Sequence, residues 1–292
     1  MAKKEPKAKK AKKQKEPPRP QYVENPLHNQ VLDYHVYVLS PAQKLLYSLA
    51  AIAAGGLVGL LFYGGLFKQE GEATVLTTIS NAVIFVAAGL VARRIALPML
   101  CQGLLNKRQK TLRAQFRDML ESIVTSLSAN ETVVQAFDNA YGDMQMQYGD
   151  DAYITQELFQ FTEARRNNVD LELMIEDLAA RSACEDIEDF SNVFKVCYGP
   201  GGRMKDVMRQ THDMICEKMQ IEDEIASKMS ANKLELNVIT AAPVLIVAML
   251  KFSNATFADN FATPAGVLAV TVGLVLFVVA YRMGQRIVKM EG

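Results

Sequence analysis

Four long runs of uncharged, mostly apolar residues constrain the fold of this chain more than any other feature of its sequence. They lie at residues 45–67, 73–92, 236–250 and 261–281. The first run would extend about 35 Å as a helix, and the hydrocarbon core of a bilayer is about 30 Å thick. Ordinary soluble proteins do not carry such runs. The sequence therefore predicts a membrane protein with four spans.

The charges are sorted along the chain, although its formal net charge is +0. Residues 1–20 carry a net charge of +7, and residues 95–235 carry a net charge of −9. In the four-span map only Lys68 and Lys251 lie in the outer connections, and the other 30 positive residues fall on one side. Lysine and arginine collect on the cytoplasmic side of a membrane. We therefore predict a multi-pass protein of the cytoplasmic (inner) membrane with both termini in the cytoplasm.

These patterns divide the chain into five parts. Residues 1–21 are a Lys- and Pro-rich tail that is predicted to be disordered, because it has too few large apolar side chains to form a core. Residues 22–44 mix Tyr and Val with polar groups and are predicted to lie at the membrane surface. Residues 45–94 are predicted to form a transmembrane hairpin, residues 95–235 a cytoplasmic helical domain, and residues 236–292 a closing transmembrane pair.

The central domain is predicted to be an antiparallel bundle of five or six helices, so the fold class is all-α. Two apolar stripes recur at helical spacing, one made of Leu112, Phe116, Met119, Leu120, Ile123 and Leu127 and the other of Ile187, Phe190, Phe194 and Cys197. Asn130, Asn168 and the Gly-rich run at 198–202 are predicted breaks. Residues 203–242 contain neither Gly nor Pro. We therefore expect one helix of about 60 Å that leaves the domain and enters the third span.

The sequence lacks the recognised signatures of catalysis. The run at 199–203 lacks the Lys followed by Ser or Thr that a nucleotide P-loop requires. His212 and Cys216 lie four residues apart and can share a metal with Cys184 or Cys197, but without a CxxC pair small buried thiols are the simpler interpretation. We therefore expect no enzyme activity, no cofactor and no bound metal.

Clusters of acidic residues are the candidates for partner binding. Acidic cluster A consists of Glu185, Asp186, Glu188 and Asp189, and acidic cluster B consists of Glu222, Asp223 and Glu224. Because complementary charge speeds the encounter of two proteins, both clusters can dock a basic partner surface. The alternative is that they are only hydrated helix faces.

The chain resembles a known family of membrane proteins. The residues that carry the resemblance are Gly201 and Gly202 followed by residues 204–208, 217–218, 221–225 and 229–234, and then Ala242, Pro243 and Val244. In sequence and layout they are similar to the inner-membrane platform proteins of tight-adherence (Tad/Flp) pili, which carry the type II secretion system F domain. Residues 120–136 are similar to the opening helix pair of that family, with Asn130 and Glu131 where a Gly is usual.

The resemblance implies a non-enzymatic platform with four kinds of partner. These are a cytoplasmic assembly ATPase, pilin subunits, a sister platform protein or further copies of this chain in a homo-oligomer, and the lipid bilayer itself. Gly201, Gly202 and Pro243 would belong to the structural motif of the family. Pro243 is also expected to bend the third span, because proline removes one backbone hydrogen bond.

Two other classes stay open from the residues alone. A small membrane transporter or channel is disfavoured because ionisable residues are scarce within the spans, where transport sites usually lie. A membrane-anchored nucleic-acid-binding protein is weaker still, because the Lys-rich tail lacks interleaved aromatic residues. We therefore expect no nucleic-acid partner.

Overall fold

The computed structural model describes residues 19–66, 74–198 and 204–290. Within these residues two short strands, β1 (Tyr22–Glu24) and β2 (Gln30–Leu32), pair antiparallel. The helices of the same residues are α1 (Pro41–Tyr63), α2 (Val75–Ser128), α3 (Val133–Tyr148), α4 (Tyr153–Arg166), α5 (Leu171–Ser182), α6 (Glu185–Cys197), α7 (Met204–Ser253), α8 (Ala255–Phe261) and α9 (Pro264–Met290). Four of them, α1, α2, α7 and α9, are long and apolar enough to cross a membrane. The prediction of an all-α membrane protein is therefore confirmed at this level.

Helices α1 and α2 pack closely through small residues. A Cβ atom built on Gly55 would lie 2.3 Å from the Cβ of Ala92, and one built on Gly59 would lie 2.5 Å from the Cβ of Ala88. On α2, a Cβ on Gly89 would lie 2.8 Å from the carbonyl oxygen of Ile52. Small residues of this kind let two helix backbones approach each other within a bilayer. The predicted hairpin therefore forms a tightly packed antiparallel pair.

Helix α2 does not end where its uncharged run ends. It continues through Arg93, Arg94 and Pro98 to Ser128, for 54 residues in all. The predicted boundary at residue 94 therefore falls inside a helix, because arginine is a good helix former and does not stop one. The helix ends before Asn130, a predicted break, whose φ of 63° lies in the left-handed region.

Six helical segments form what we call the bundle: residues 104–128 of α2, helices α3 to α6, and residues 204–219 of α7. Its core contains every residue of the first predicted stripe. From the second stripe Ile187, Phe190 and Phe194 are buried, and Cys197 packs against the core from a half-buried position. The predicted break at Asn168 is confirmed by its φ of 54°. The predicted break at 198–202 lies, beyond residue 198, outside the described residues.

Residues 19–39, which we call the strap, pack against the bundle, and their predicted place at the membrane surface stays a prediction. Tyr34 is 1% exposed, and its hydroxyl group donates to the carboxylate of Glu157 at 3.0 Å. Its backbone nitrogen donates to the carbonyl of Arg181, and its own carbonyl accepts from Gln109 at 2.9 Å. The bundle thus supplies partners for each polar group of a large aromatic residue, which makes its burial favourable. The strap then leads directly into α1, where Ser40 caps the helix.

Helix α7 connects the bundle to the third span without a break. It runs for 50 residues, from Met204 to Ser253, so the expected long helix is confirmed for the part that the structure describes. It also passes through Pro243 without ending. After Ser253 the short α8 leads into α9, which returns past α7. Leu236 and Gly284 are neighbours, because a Cβ on Gly284 would lie 2.8 Å from the side chain of Leu236.

Candidate functional site

The two acidic clusters meet in one ion-pair network that joins three helices. Arg113 of α2 pairs with Asp186 of α6 and, at 2.5 Å, with Glu222 of α7. Lys218 of α7 pairs with Asp186 at 2.8 Å. We call these four residues the Arg113 network. The network joins cluster A to cluster B and fastens the two helices that enter the membrane, α2 and α7, to the bundle.

The network divides the predicted partner-binding residues into two groups. Asp186 has a side chain that is only 8% exposed, and its charge is matched by two cations, so its role is structural. Glu222 and Glu185 are exposed but also pair with Arg113 and Lys218. The remaining four, Glu188, Asp189, Asp223 and Glu224, are exposed and make no ion pair within the described part of the chain. Four of the seven predicted partner-binding residues therefore carry a charge that no cation of the described chain pairs with.

A second charged cluster is buried beneath the strap and was not predicted. Arg181 and Glu157 have side chains that are 5% and 4% exposed and form a two-pronged ion pair at 2.7 and 2.9 Å. Arg181 also donates to Asp177 and to the carbonyl of Leu32. Asp177 lies one helical turn before Arg181, but Glu157 and Leu32 come from distant parts of the chain, so no local sequence pattern marks the cluster. This cluster fixes the strap to α4 and α5.

The electrostatics of this cluster favour a charged ion pair. Burial opposes the charge of Arg181, but its hydrogen bond and attraction to Glu157, with a further contribution from Asp177, raise its pKa. Burial raises the pKa of the Tyr34 hydroxyl well above its ordinary value, and the charge of Glu157 adds to this effect. Tyr34 therefore stays protonated and donates its hydrogen bond to the carboxylate of Glu157.

At the far end of the spans, Lys251 joins the two pairs of membrane helices. Its Nζ atom donates to the carbonyl of Leu61 at 2.7 Å and lies 3.5 Å from the carbonyl oxygen of Gly64. It also lies 4.8 Å above the ring of Phe261. The last carbonyls of a helix have no partner within the helix and carry partial negative charge. Lys251, which the sequence places in an outer connection, thus caps the end of α1.

An apolar cavity of about 630 Å³ lies between the same two pairs of helices. Val58 and Phe62 of α1 line one side of it, and Pro243 of α7 with Phe261 and Gly273 lines the other. Pro243 is thus a lining residue of this cavity, while the bend that we expect from it stays a prediction. Gly201 and Gly202, the other members of the predicted structural motif, lie outside the described residues.

His212 and Cys216, two of the possible metal ligands, lie side by side on α7. The Sγ atom of Cys216 lies 3.5 Å from Nε2 of His212. Among the described residues no group of three or more His, Cys, Asp or Glu side chains is placed to hold a metal ion. Burial raises the pKa of the Cys216 thiol, which disfavours the thiolate that a nucleophile needs. The pair is therefore a packing and hydrogen-bonding contact.

Comparisons of the chain with protein-family models, with curated proteins and with solved structures find no match.

Helices α2 and α7 connect the membrane spans directly to the bundle. Each runs unbroken from the membrane into the polar bundle, and an ion-pair network fastens them together there. Such an arrangement is suited to carrying a displacement from one side of a membrane boundary to the other.

Proposed function

We propose that this protein is the inner-membrane platform of a Tad/Flp-type pilus or a related type II secretion machine. In that role it couples a cytoplasmic ATPase to the extraction of pilin from the bilayer and to its polymerisation. The observation that carries the proposal is the continuity of α2 and α7, which have 54 and 50 residues and link the spans directly to the bundle. The resemblance of residues 201–244 to the platform family is the reason for proposing a pilus or type II secretion machine in particular.

The mechanism follows from the stiffness of these two helices. The hydrogen bonds along a helix resist local bending, so a displacement of the bundle is passed on to the spans. The Arg113 network holds α2 and α7 together at the bundle, because Arg113 of α2 contacts Glu222 of α7 directly. An ATPase that moves the bundle would therefore move the second and third spans together.

The exposed acids give the ATPase a place to dock. Glu188 and Asp189 lie on α6, and Asp223 and Glu224 lie on α7, so their charges are free to meet a basic surface. Long-range attraction of this kind raises the rate of encounter and is screened by salt. The proposal therefore requires an interaction whose strength falls as the salt concentration rises.

Copurification with charge-reversed variants tests the docking. We expect the full chain in detergent to retain a hexameric ATPase and a pilin from cells that express the neighbouring genes. The double variant Glu188→Lys/Asp189→Lys should weaken ATPase binding at low salt and have less effect at high salt. The matched control is Asp150→Lys/Asp151→Lys in the loop before α4. Equal weakening by both variants would show that only overall charge matters, and no weakening would reduce the clusters to hydrated faces.

Insertions into α7 test the mechanical coupling. Gly-Gly-Ser-Gly placed between residues 231 and 232 breaks the helix between bundle and membrane. We expect it to leave membrane insertion and ATPase binding near normal and to abolish pilus assembly. As a control, Ala-Glu-Ala-Ala at the same place keeps the helix and rotates it by about 40°. Normal piliation with the flexible insert, at verified expression, would show that no rigid connection is required.

Thiol labelling tests the orientation that the proposal needs. Cys197 is half-buried at the end of α6 and is the best target once the other three cysteines are replaced. Burial raises the pKa of Cys184, so that thiol would react more slowly. We expect an impermeant reagent to label Cys197 only after the cells are permeabilised. Labelling of intact cells would place the bundle outside the cytoplasm.

A further inference from the structure

The register of the α1–α2 pair places two arginines deep within the hairpin. Gly55 lies beside Ala92, and Gly59 lies beside Ala88, so each step along α1 is matched by one step backwards along α2. Arg93 and Arg94 therefore lie at the level of residues 53–54, near the middle of α1. The sequence predicts them at the membrane boundary, because they end the second uncharged run. The helix pairing places them within the apolar part of the hairpin instead.

The same register gives their depth. Helix α1 begins at Pro41, 14 residues before Gly55. It therefore extends about 21 Å from Gly55 towards the bundle. Its only charged residue on that path is Lys44, which lies at the level of Gly103 of α2. Arg94 is therefore about 13 Å closer to the membrane centre than Lys44 is. From Val75 to the level of Gly103 the hairpin is about 42 Å tall, compared with a hydrocarbon core of about 30 Å.

Exposed apolar side chains flank the two arginines on both sides. On α2, Val91 is 60% exposed before them, and Ile95 and Met99 are 57% and 65% exposed after them. On the facing part of α1, Leu45 and Leu46 are 66% and 65% exposed. If the arginines marked the membrane boundary, all the side chains on the bundle side of them would stand in water. A contiguous apolar surface of that kind is avoided in soluble regions and belongs in lipid.

The arginines also lack a counter-charge within the described part of the chain. Neither Arg93 nor Arg94 makes an ion pair or a side-chain hydrogen bond there. An unpaired guanidinium among apolar groups is costly, and in membranes the cost falls when phosphate groups and water are drawn inward to meet it. The planar guanidinium matches phosphate because it donates two parallel hydrogen bonds.

We propose that Arg93 and Arg94 form a binding site for the phosphate groups of phospholipids in the leaflet on the bundle side. The lipid headgroups are drawn towards the membrane centre at this site, beside apolar side chains that continue towards the bundle. The third and fourth spans, taken as residues 236–253 with Lys251 near the end and residues 264–281, each measure about 27 Å, close to the thickness of the hydrocarbon core. The bilayer is therefore distorted on the hairpin side and close to its ordinary thickness on the other.

A depth measurement tests the position of the arginines. A spin label is attached at residue 99 in the full chain, with its four cysteines replaced, in vesicles of phosphatidylcholine and phosphatidylglycerol. We expect collisions with oxygen to exceed those with a water-soluble nickel chelate, as they do for a label in lipid. Residue 146, which is 82% exposed in α3, serves as the aqueous control. An aqueous signal at residue 99 would overturn the proposal.

A count of retained lipids tests the binding itself. Native mass spectrometry of the full chain released from the same vesicles should show about two fewer phosphatidylglycerol molecules on Arg93→Gln/Arg94→Gln than on the unmodified chain, one for each arginine. The control Arg282→Gln, at the end of the fourth span, should lose at most one. An unchanged lipid count in the double variant would overturn the proposal. If the oligomeric state changed as well, the partner of the arginines would be an acidic group of a second chain and not a lipid.

Discussion

The two pairs of membrane helices in this protein differ in how closely their helices pack. In the α1–α2 hairpin, Gly55, Gly59 and Gly89 lie where the helices touch, and a methyl group at any of them would collide with the facing helix. In the C-terminal pair, Gly273 of α9 has open space around its Cα atom, and Gly284 meets only the flexible side chain of Leu236. Among the described residues, the most apolar stretches of α7 and α9 bury none of their side chains, whereas those of α1 and α2 bury some.

The difference shows which part of the membrane region holds itself together. Lipid tails are as apolar as leucine, so helices in a bilayer associate by close packing and hydrogen bonding and not by the hydrophobic effect. The hairpin has that packing, and the strap also anchors its first helix to the bundle. The C-terminal pair depends on ties to its neighbours. These are the Arg113 network at the bundle end of α7 and Lys251 at the other end.

The largest expected effect comes from the anchor of the hairpin. Glu157→Gln removes the carboxylate that faces buried Arg181 and leaves Asp177 as the only carboxylate paired with that cation. Breaking one side of a buried pair costs about 3 kcal/mol. We expect a loss of this size in the free energy of unfolding of the full chain in detergent, measured by denaturant titration with circular dichroism. Glu163→Gln is the control on the same helix, because its partner Arg166 is 67% exposed. Equal losses would contradict a special role for the buried pair.

Glycine substitutions test the packing contrast itself. Gly55→Ala forces a methyl group to within 2.3 Å of Ala92, and overpacking of this kind costs about 1–3 kcal/mol. Gly273→Ala meets nothing within 4 Å, and alanine is the better helix former by about 1 kcal/mol. The two variants should therefore shift the midpoint of thermal unfolding in opposite directions. A shift of the same sign in both would show that the two pairs are packed alike.

Parts of this architecture could be predicted from the sequence, and the contrast between the pairs could not. Spans and core stripes depend on local periodicity, which is why Leu112, Phe116 and Ile123 were placed correctly in the core. Helix ends were predicted where the backbone needs a left-handed residue, as at Asn130 and Asn168. The continuation of α2 beyond residue 94 was not predicted, because two arginines end an uncharged run without ending a helix.

Long-range contacts account for what the sequence did not predict. Tyr34 and Glu157 are 123 residues apart, and no periodic pattern connects them. Asp186 was assigned to a partner surface because it lies among exposed acids, but its contacts with Arg113 and Lys218 exist only in the folded bundle. Glycines in an apolar run give the same signal whether or not they face another helix, so Gly55 and Gly273 could not be told apart.

Removal of Lys251 should loosen the tie between the two pairs with a smaller energetic effect. Lys251→Met keeps the apolar stem but removes the donor to Leu61 and Gly64. A hydrogen bond from a charged donor is worth about 1.5–3 kcal/mol when both partners are dry, and less at a wet membrane end. Tyr63 and Thr271 provide the probe, because their side-chain oxygens lie 3.1 Å apart. Cysteines at these positions should cross-link less completely in the Lys251→Met background. Lys228→Met on the same helix should not change the yield.

The smallest expected effect is at the bundle end of the C-terminal pair, in the half-exposed arm of the Arg113 network. Glu222 has a side chain that is 49% exposed, whereas the side chain of Asp186 is 8% exposed. Water screens the outer pair, so Glu222→Gln should lower the free energy of unfolding by about 0.2–1 kcal/mol. Asp186→Asn should cost more, because it leaves Arg113 and Lys218 without their shared buried partner. High salt should shrink the effect of Glu222→Gln and leave that of Asp186→Asn nearly unchanged. If both effects shrink alike, α2 and α7 are held by surface attraction and not by a buried contact.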